Sequence, residues 1–206
     1  MSIHYPAGVK TPSTSPEMEK KKRKATSQKK KLHFKVQPGN RGMAFEDDIN
    51  QTNQYYLDHD LAVIHKKPTP INIVKVDYTH GAKITQAYFE EPSTTDYNGI
   101  YQGRYIDFEA KSTHSKTSFP LSNIAPQQIT HLKAVMKHGA IAFFLINIVP
   151  LNETYLLPAE YVCAFYEEKP RKSIPLEEIK KHGHLVKEGY APRLDYLPIL
   201  NKFFLK

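Results

Sequence analysis

Apolar and polar positions along the chain follow regular patterns that predict a β-sheet packed against helices. Ala140–Val149 is almost wholly apolar, which is typical of a strand buried on both faces of a sheet. Tyr105–Lys111 alternates with a period of two, which predicts a second strand, and Tyr155–Leu157 is the expected antiparallel neighbour of the apolar strand. Pro126–His138 has helical spacing and is followed by Gly139, which predicts a helix whose inward face carries Ile129, Leu132, Val135 and Met136.

The remaining elements are predicted from shorter patterns. A first helix is expected from about Met43 to Leu57, with Asn40 as its cap and with one inward face made by Phe45, Ile49, Thr52 and Tyr56. Leu61–Ile64 is a short apolar run that predicts a strand. Three more helical segments are expected at Pro158–Glu168, Pro175–Lys181 and Asp195–Phe204. This order predicts the α/β class, with a mixed β-sheet flanked by helices.

Prolines mark a part of the chain that does not fit a central sheet. Ile71–Val76 and Ile84–Phe89 are extended segments, but Pro68 and Pro70 precede them, and proline cannot donate a hydrogen bond to a ladder. We therefore predict an edge hairpin or a projecting arm here. Further along, the pair Asn98-Gly99 predicts a tight turn between two β-rich runs.

The positive charge of the chain is concentrated in its first residues. Residues 1–40 contain ten Lys and Arg against two Glu, which accounts for the whole formal net charge of +8. Residues 1–38 are also rich in Pro, Ser and Thr, and their few apolar groups predict a disordered basic tail. Such a tail indicates either a polyanionic partner or a solubilising arm, and composition does not separate the two.

Composition also limits the cellular setting. Cys163 is the one cysteine, so no internal disulfide framework can form, which suits a reducing cytoplasm. No run of 18 apolar residues is present, and the N-terminal residues contain no apolar signal core. We therefore expect a cytoplasmic protein without a membrane partner.

Two carboxylates and a lysine carry the candidate chemistry. Residues two apart in a strand share a face, which places Glu109 beside Lys111 and Thr94 beside Asp96. If a turn brings the two segments together, Asp96 and Glu109 converge, and paired carboxylates suit Mg²⁺ and phosphoryl transfer. Asp107 competes as the second carboxylate because it shares the face of Glu109. A structural role for Asp96, as the cap of the predicted turn, also stays open.

The spacing of Asp96, Glu109 and Lys111 resembles that of the PD-(D/E)xK nuclease superfamily, although no proline directly precedes Asp96. Longer strings resemble RecU-type Holliday junction resolvases over roughly residues 40–200. These strings are Asn40–Asp48, Ala62–Pro70, Ser93–Tyr101, Gly103–Lys111 and Gly189–Arg193. The resemblance implies a restriction-endonuclease-like core in residues 39–206, with a stalk at about residues 68–92.

The same resemblance implies an activity and its residues. It implies a homodimeric, Mg²⁺-dependent endodeoxyribonuclease, with Mn²⁺ as an alternative ion, that resolves four-way junctions by paired symmetric nicks during recombination and DNA repair. The implied metal-site residues are Thr94, Asp96, Glu109 and Gln128. Lys111 would stabilise the transition state, and Glu46 would be an accessory catalytic carboxylate.

The implied partners are branched DNA, a second copy of the chain, and branch-migration and strand-exchange proteins. Four lysines would meet the junction: Lys66, Lys67, Lys75 and Lys83. Arg104 would either contact phosphate or pair with Asp107. Two other functions stay open: a non-catalytic, structure-specific DNA-binding accessory protein of recombination, and another PD-(D/E)xK nuclease that acts on duplex DNA.

Overall fold

The computed structural model describes residues 39–90, 94–168 and 171–205, with only the backbone of residues 39–43. The predicted basic tail, residues 1–38, lies outside these ranges. The helices are α1 (Gly39–Asp58), α2 (Pro126–Lys137), α3 (Ala159–Glu167), α4 (Leu176–His182) and α5 (Leu197–Phe203). The strands are β1 (Val63–Lys66), β2 (Ile71–Asp77), β3 (Lys83–Phe89), β4 (Tyr97–Tyr101), β5 (Arg104–Thr113), β6 (Ser118–Pro120), β7 (Ile141–Ile148), β8 (Glu153–Pro158), β9 (Ser173–Pro175), β10 (His184–Leu185), β11 (Lys187–Glu188) and β12 (Leu194–Asp195).

A six-stranded mixed sheet forms the centre of the protein, in the order β1-β4-β5-β7-β8-β10. Strands β5 and β7 are parallel and are connected through α2, whereas the other pairs are antiparallel. Helices cover both faces of the sheet, so the predicted α/β class is confirmed. The apolar run predicted as a doubly buried strand is β7, in which every residue but Asn147 is buried.

The two faces of the sheet have separate apolar cores. On the first, which we call the α1 face, helices α1 and α5 pack on the sheet through Phe45, Ile49, Tyr56, Leu197 and Leu200. On the second, the α2 face, helices α2, α3 and α4 contribute Ile129, Leu132, Val162 and Ile179. Along the α1 face the rings of Tyr97, Phe108 and Phe143 stack across three strands, with centroid distances of 4.9 and 4.7 Å. This stack fixes β4 and β7 on either side of β5.

Strands β2 and β3 form an antiparallel hairpin that belongs to a separate two-stranded sheet. Nearly all of its side chains are exposed, including apolar ones such as Phe89, which is 81% exposed. The prediction that this segment lies outside the central sheet is therefore confirmed, as an exposed hairpin. Among the described residues, no helix is long and apolar enough to cross a membrane.

Two local predictions were wrong. Helix α1 begins at Gly39, so Asn40 lies inside the helix and not at its cap. Asn98-Gly99 is not a turn but lies within β4, and the chain reverses instead at Gln102 and Gly103, whose φ angles are +47° and +73°. A Cβ atom on Gly99 would lie 2.1 Å from the carbonyl oxygen of Val63. Glycine is required at this position because β1 approaches β4 closely, and this packing outweighs the local turn preference.

We expect Gly99→Ala to lower the free energy of unfolding by about 2–3 kcal/mol, because the added methyl group must push β1 away from β4. Gly103→Asn is the matched control. Its Cβ would meet no atom within 4 Å, and asparagine tolerates a positive φ, so a loss below about 1 kcal/mol is expected. Urea denaturation followed by circular dichroism measures both variants. Equal losses would contradict the role given to Gly99.

Candidate active site

Strand β5 places three charged side chains on the α2 face. Its residues alternate between the two cores: Ile106 and Phe108 enter the α1 core, whereas Asp107, Glu109 and Lys111 point to the opposite face. Asp107 and Glu109 have no exposed surface. Both carboxylates stand beside the central strand β7 and beneath helix α2, so they must be satisfied by groups of the protein or by a bound cation.

Two hydrogen bonds join Asp96 to strand β5, one to the carboxylate of Glu109 and one from the backbone of Ala110. The backbone N–H of Asp96 donates to Oε2 of Glu109 at 3.1 Å, and the backbone N–H of Ala110 donates to Oδ2 of Asp96 at 3.1 Å. Asp96 directly precedes β4, whose first residue pairs with Phe108 of β5. The convergence of Asp96 and Glu109 that was expected from the sequence is thus present in the structure, through antiparallel pairing of β4 and β5.

Glu109 is the most strongly perturbed carboxyl group of the site. Burial, followed by the negative charge of Asp96, raises the pKa of Glu109 to about 8, against the opposing effect of the Lys111 ammonium. Lys111 Nζ lies 2.7 Å from Oε1 of Glu109. The site therefore holds two close carboxylates with less positive charge than they need, which favours the binding of a further cation.

Gln128 holds Glu109 from helix α2. Its Nε2 donates to Oε1 of Glu109 at 2.6 Å, while its Oε1 accepts the backbone N–H of Ala125 at 2.9 Å. The N–H of Ala125 can only donate, so this contact fixes the orientation of the amide. In this arrangement Gln128 presents a donor to Glu109, and its oxygen is already used to cap the helix.

Lys66 and Lys67 point to opposite faces of the sheet. On the α1 face, Lys66 forms an ion pair with Glu46, at a location where Glu46 has no contact with Asp96, Glu109 or Lys111 among the described residues. On the α2 face, the side chain of Lys67 is only 15% exposed, and its ammonium contacts the carboxylate of Asp107 and the hydroxyl of Thr94. The accessory role predicted for Glu46 and the DNA contacts predicted for both lysines stay predictions, without support from this geometry.

The other residues predicted to bind DNA lie apart from the carboxylates. Arg104 stands at the start of β5 and donates through Nη2 to the carbonyl oxygen of Gly139 at 2.7 Å. It does not pair with Asp107, so that alternative was wrong. Lys75 and Lys83 are exposed on the β2–β3 hairpin.

Sequence reasoning missed the polar partners of Asp107. The side chains of Lys67, Thr95, Tyr105 and His131 all contact this carboxylate. His131 lies three positions after Gln128, a spacing that places both on one side of a helix. This spacing was the one sequence feature that could have placed His131 near the site.

The oxygen atoms around Glu109 are the candidate ligands of a divalent metal. Within the described residues, no cluster of three or more His, Cys, Asp or Glu side chains could hold a metal ion. The paired carboxylates of Asp96 and Glu109, with the hydroxyl of Thr94 two residues away, nevertheless form an all-oxygen set. Mg²⁺ prefers such a set and keeps several water ligands, so two carboxylates suffice. The residues fit a hard divalent cation.

The family model for Recombination protein U (RecU) matches residues 40–202, which include every residue of this site. The chain belongs to the RecU family. Three curated relatives named Holliday junction resolvase RecU span nearly all of it. The protein from Bacillus cytotoxicus is 47% identical and covers 99% of both chains. That from Lactococcus lactis subsp. cremoris is 51% identical over 98% of this chain and 94% of the relative. That from a Geobacillus species is 49% identical over 87% and 94%.

A solved structure of Hjc from Archaeoglobus fulgidus, described as a Holliday junction resolvase, is more distant from this RecU-family chain. It covers 69% of this chain and 94% of its own, at 13% identity and with a TM-score of 0.42. So weak a likeness adds nothing to the family membership.

The raised pKa of Glu109 predicts how stability depends on pH in metal-free protein. Between the usual value of 4.5 and the folded value of about 8, the folded protein holds a proton that the unfolded chain has lost. The stability contributed by this proton is fully present below pH 4.5 and is lost as the pH rises through 8. We therefore expect Glu109→Gln, which does not titrate, to gain stability relative to the wild type by at least about 1 kcal/mol between pH 5 and 9.

Urea denaturation in EDTA at several pH values measures this difference. Glu160→Gln, at an exposed position in the first turn of α3, is the control and should show no such trend. A difference between Glu109→Gln and the wild type that stays constant across the pH range would contradict the burial argument.

Proposed function

We propose that this chain is an endodeoxyribonuclease that resolves four-way DNA junctions during recombination and repair. The observation that carries the proposal is the pairing of Asp96 with Glu109 beside Lys111, in a chain of the RecU family. The names of the relatives, Holliday junction resolvase RecU, support a branched DNA substrate. The cytoplasmic location expected from the sequence belongs to the same proposal.

The proposed cofactor is Mg²⁺, with Mn²⁺ as an alternative ion. Asp96 and Glu109 would hold it, and the hydroxyl of Thr94 would lie next to it. When bound, the cation would supply positive charge that activates a water molecule and offsets charge on the scissile phosphate. In the hydrolysis itself, the water oxygen would form a bond to phosphorus, one P–O bond of the DNA backbone would break, the water would lose a proton to solvent, and the leaving sugar oxygen would take up a proton from solvent.

The side chains around the carboxylates have separate roles in this proposal. Lys111 contacts Glu109, but its side chain is still 24% exposed, so its ammonium can reach the phosphate oxygens and stabilise the charge that develops on them. Gln128 keeps Glu109 oriented through the hydrogen bond from Nε2. The metal-site role predicted for Gln128 stays a prediction without support from this geometry, because its Oε1 accepts the N–H of Ala125 and its Nε2 faces Glu109.

The β2–β3 hairpin supports the proposals of a homodimer and of junction binding. Its exposed apolar side chains would be covered by a second copy of the chain, as would be expected for large exposed apolar groups. They include Ile73, Val74, Tyr88 and Phe89. Two copies related by a two-fold axis would present two active sites, which explains paired nicks of a symmetric junction. Lys75 and Lys83 on the same hairpin would contact phosphates.

We expect Asp96→Asn, Glu109→Gln and Lys111→Met each to reduce junction cleavage by at least about 100-fold, because each removes a group that holds the cation or stabilises charge. Binding of the junction should stay within about twofold of the wild type. Cleavage is measured on a synthetic four-way junction with Mg²⁺ under single-turnover conditions, and binding is measured in EDTA. Glu160→Gln serves as the control.

Three outcomes separate the candidate functions. Retained cleavage in Asp96→Asn or Glu109→Gln would show that these carboxylates are not the active site. Tight junction binding by wild-type protein without cleavage at any Mg²⁺ concentration would select the accessory DNA-binding protein. Cleavage of plain duplex DNA as fast as of the junction would select a duplex nuclease of the same superfamily.

We expect the hairpin lysines to contribute to affinity and not to chemistry. Replacing Lys75 and Lys83 together with alanine should weaken junction binding and reduce the slope of log affinity against log salt by about 2, one for each lost phosphate contact. Lys180→Ala, on α4, is the control for the loss of an exposed lysine. Deletion of residues 1–38 tests the tail in the same assay. An unchanged slope in the double variant would exclude the hairpin from the DNA interface.

A further inference from the structure

Asp107 is a buried carboxylate that the proposed chemistry does not use. It has no exposed surface, yet four side chains donate hydrogen bonds to it. Oδ2 accepts from Lys67 Nζ at 3.0 Å, from Tyr105 Oη at 2.9 Å and from His131 Nε2 at 2.9 Å, and Oδ1 accepts from Thr95 Oγ1. With both oxygens occupied, Asp107 is not available as a metal ligand. Instead, Asp107 holds in place the side chains that donate to it.

The donors to Asp107 come from parts of the chain that must meet to form the active site. Lys67 follows β1, Thr95 lies in the segment just before β4, and His131 lies on α2, whereas Asp107 itself is on β5. Three of these segments also carry a residue of the proposed site. One buried carboxylate therefore connects the structural supports of Asp96, Glu109 and Gln128.

Lys67 fixes the segment that contains Asp96. Its backbone N–H donates to the carbonyl oxygen of Asp96 at 2.8 Å. Its ammonium donates to Thr95 Oγ1 at 2.5 Å and to Thr94 Oγ1 at 3.3 Å, as well as to Asp107. Residues 94–96 are thus held through both backbone and side chain, and the ammonium is kept in place by the carboxylate of Asp107.

Helix α2 is attached to β5 at two points. Gln128 donates to Glu109, and His131, one turn later, donates to Asp107. Glu109 and Asp107 are two residues apart on one face of the strand, so the two contacts set both the position and the rotation of the helix. The amide that orients Glu109 consequently depends on the contact with Asp107.

We propose that Asp107 and Lys67 are positioning residues, which hold Asp96 and Glu109 at the separation that a shared divalent cation requires. The inference rests on the proposed function. Its physical basis is that a buried ion pair with satisfied hydrogen bonds has a narrow geometry, and that small displacements of metal-holding groups have large effects on binding and rate. Partners of metal-holding residues typically change metal affinity or activity by 10–100-fold when they are replaced.

The test compares Asp107→Asn and Lys67→Met with wild type. We expect each variant to cleave the junction at least about tenfold more slowly at limiting Mg²⁺ and to need about tenfold more Mg²⁺ for half-maximal cleavage. Mg²⁺ binding to the DNA-free protein, measured by titration calorimetry, should weaken by a similar factor, and excess Mg²⁺ should restore part of the rate. Junction binding in EDTA should change by less than about twofold.

Tyr105→Phe is the matched control. It removes one donor from the same oxygen of Asp107, but among the described residues the Tyr105 hydroxyl forms hydrogen bonds only with Asp107 and Asn98, and none with residues 94–96 or with α2. Its cleavage rate and Mg²⁺ affinity should stay within about twofold of the wild type. If Asp107→Asn fails to fold, Thr95→Val and His131→Leu decide the question, because each removes one hydrogen bond to Asp107 and keeps the buried carboxylate paired with Lys67.

The outcomes distinguish this inference from the proposed function. If Asp96→Asn abolishes cleavage while Asp107→Asn and Lys67→Met match the wild type, the active site stands and the positioning role is wrong. A loss of rate in these variants with unchanged Mg²⁺ affinity would also overturn the role. If Asp96→Asn cleaves normally, the proposed site fails, whatever the behaviour of Asp107.

Discussion

The need to satisfy two buried carboxyl groups organises this side of the protein. Asp107 and Glu109 stand on the same face of β5 without exposed surface. An unpaired carboxylate in such a place is costly, so each draws donors from other elements. The two have different surroundings: four side chains donate to Asp107, whereas Glu109 accepts from Lys111, Gln128 and the backbone N–H of Asp96. Burial and the nearby carboxylate of Asp96 raise the pKa of Glu109. Asp107 therefore has a structural role, whereas Glu109 is suited to bind a cation.

Much of the fold could be predicted because it depends on local apolar patterns. The doubly buried strand β7, the alternating strand β5 and helix α2 each have a period that belongs to one structure. Asn98-Gly99 shows where this reasoning ends. A turn preference is a weak local effect, and here the close packing of β1 against Gly99 outweighs it. That packing involves a strand more than thirty residues earlier, which no local pattern reveals.

The candidate site was predictable in the part that rests on strand geometry. Residues two apart share a face, and a hairpin brings Asp96 next to Glu109, so spacing identified this pair as a candidate, with Asp107 as the competing second carboxylate. The contacts made by Lys67 and His131 were not predictable in this way. Lys66 and Lys67 both look like surface charge in the sequence, and only the antiparallel partner of β1 decides that one faces Glu46 and the other faces Asp107. The charge of a lysine in the sequence makes it a candidate for an ion pair, but only the register of the folded strands decides which carboxylate it meets.

Gly99 links the packing of the sheet to the chemistry at its edge. Gly99 of β4 pairs with Ile64 of β1, and two residues further along β1, Lys66 pairs with Tyr97. The next residue, Lys67, donates its backbone N–H to the carbonyl oxygen of Asp96. The absence of a methyl group at position 99 therefore determines how far an ammonium group reaches into the site. A substitution at Gly99 would displace β1 and, with it, Lys67, even though Gly99 itself contacts neither Asp96 nor Glu109.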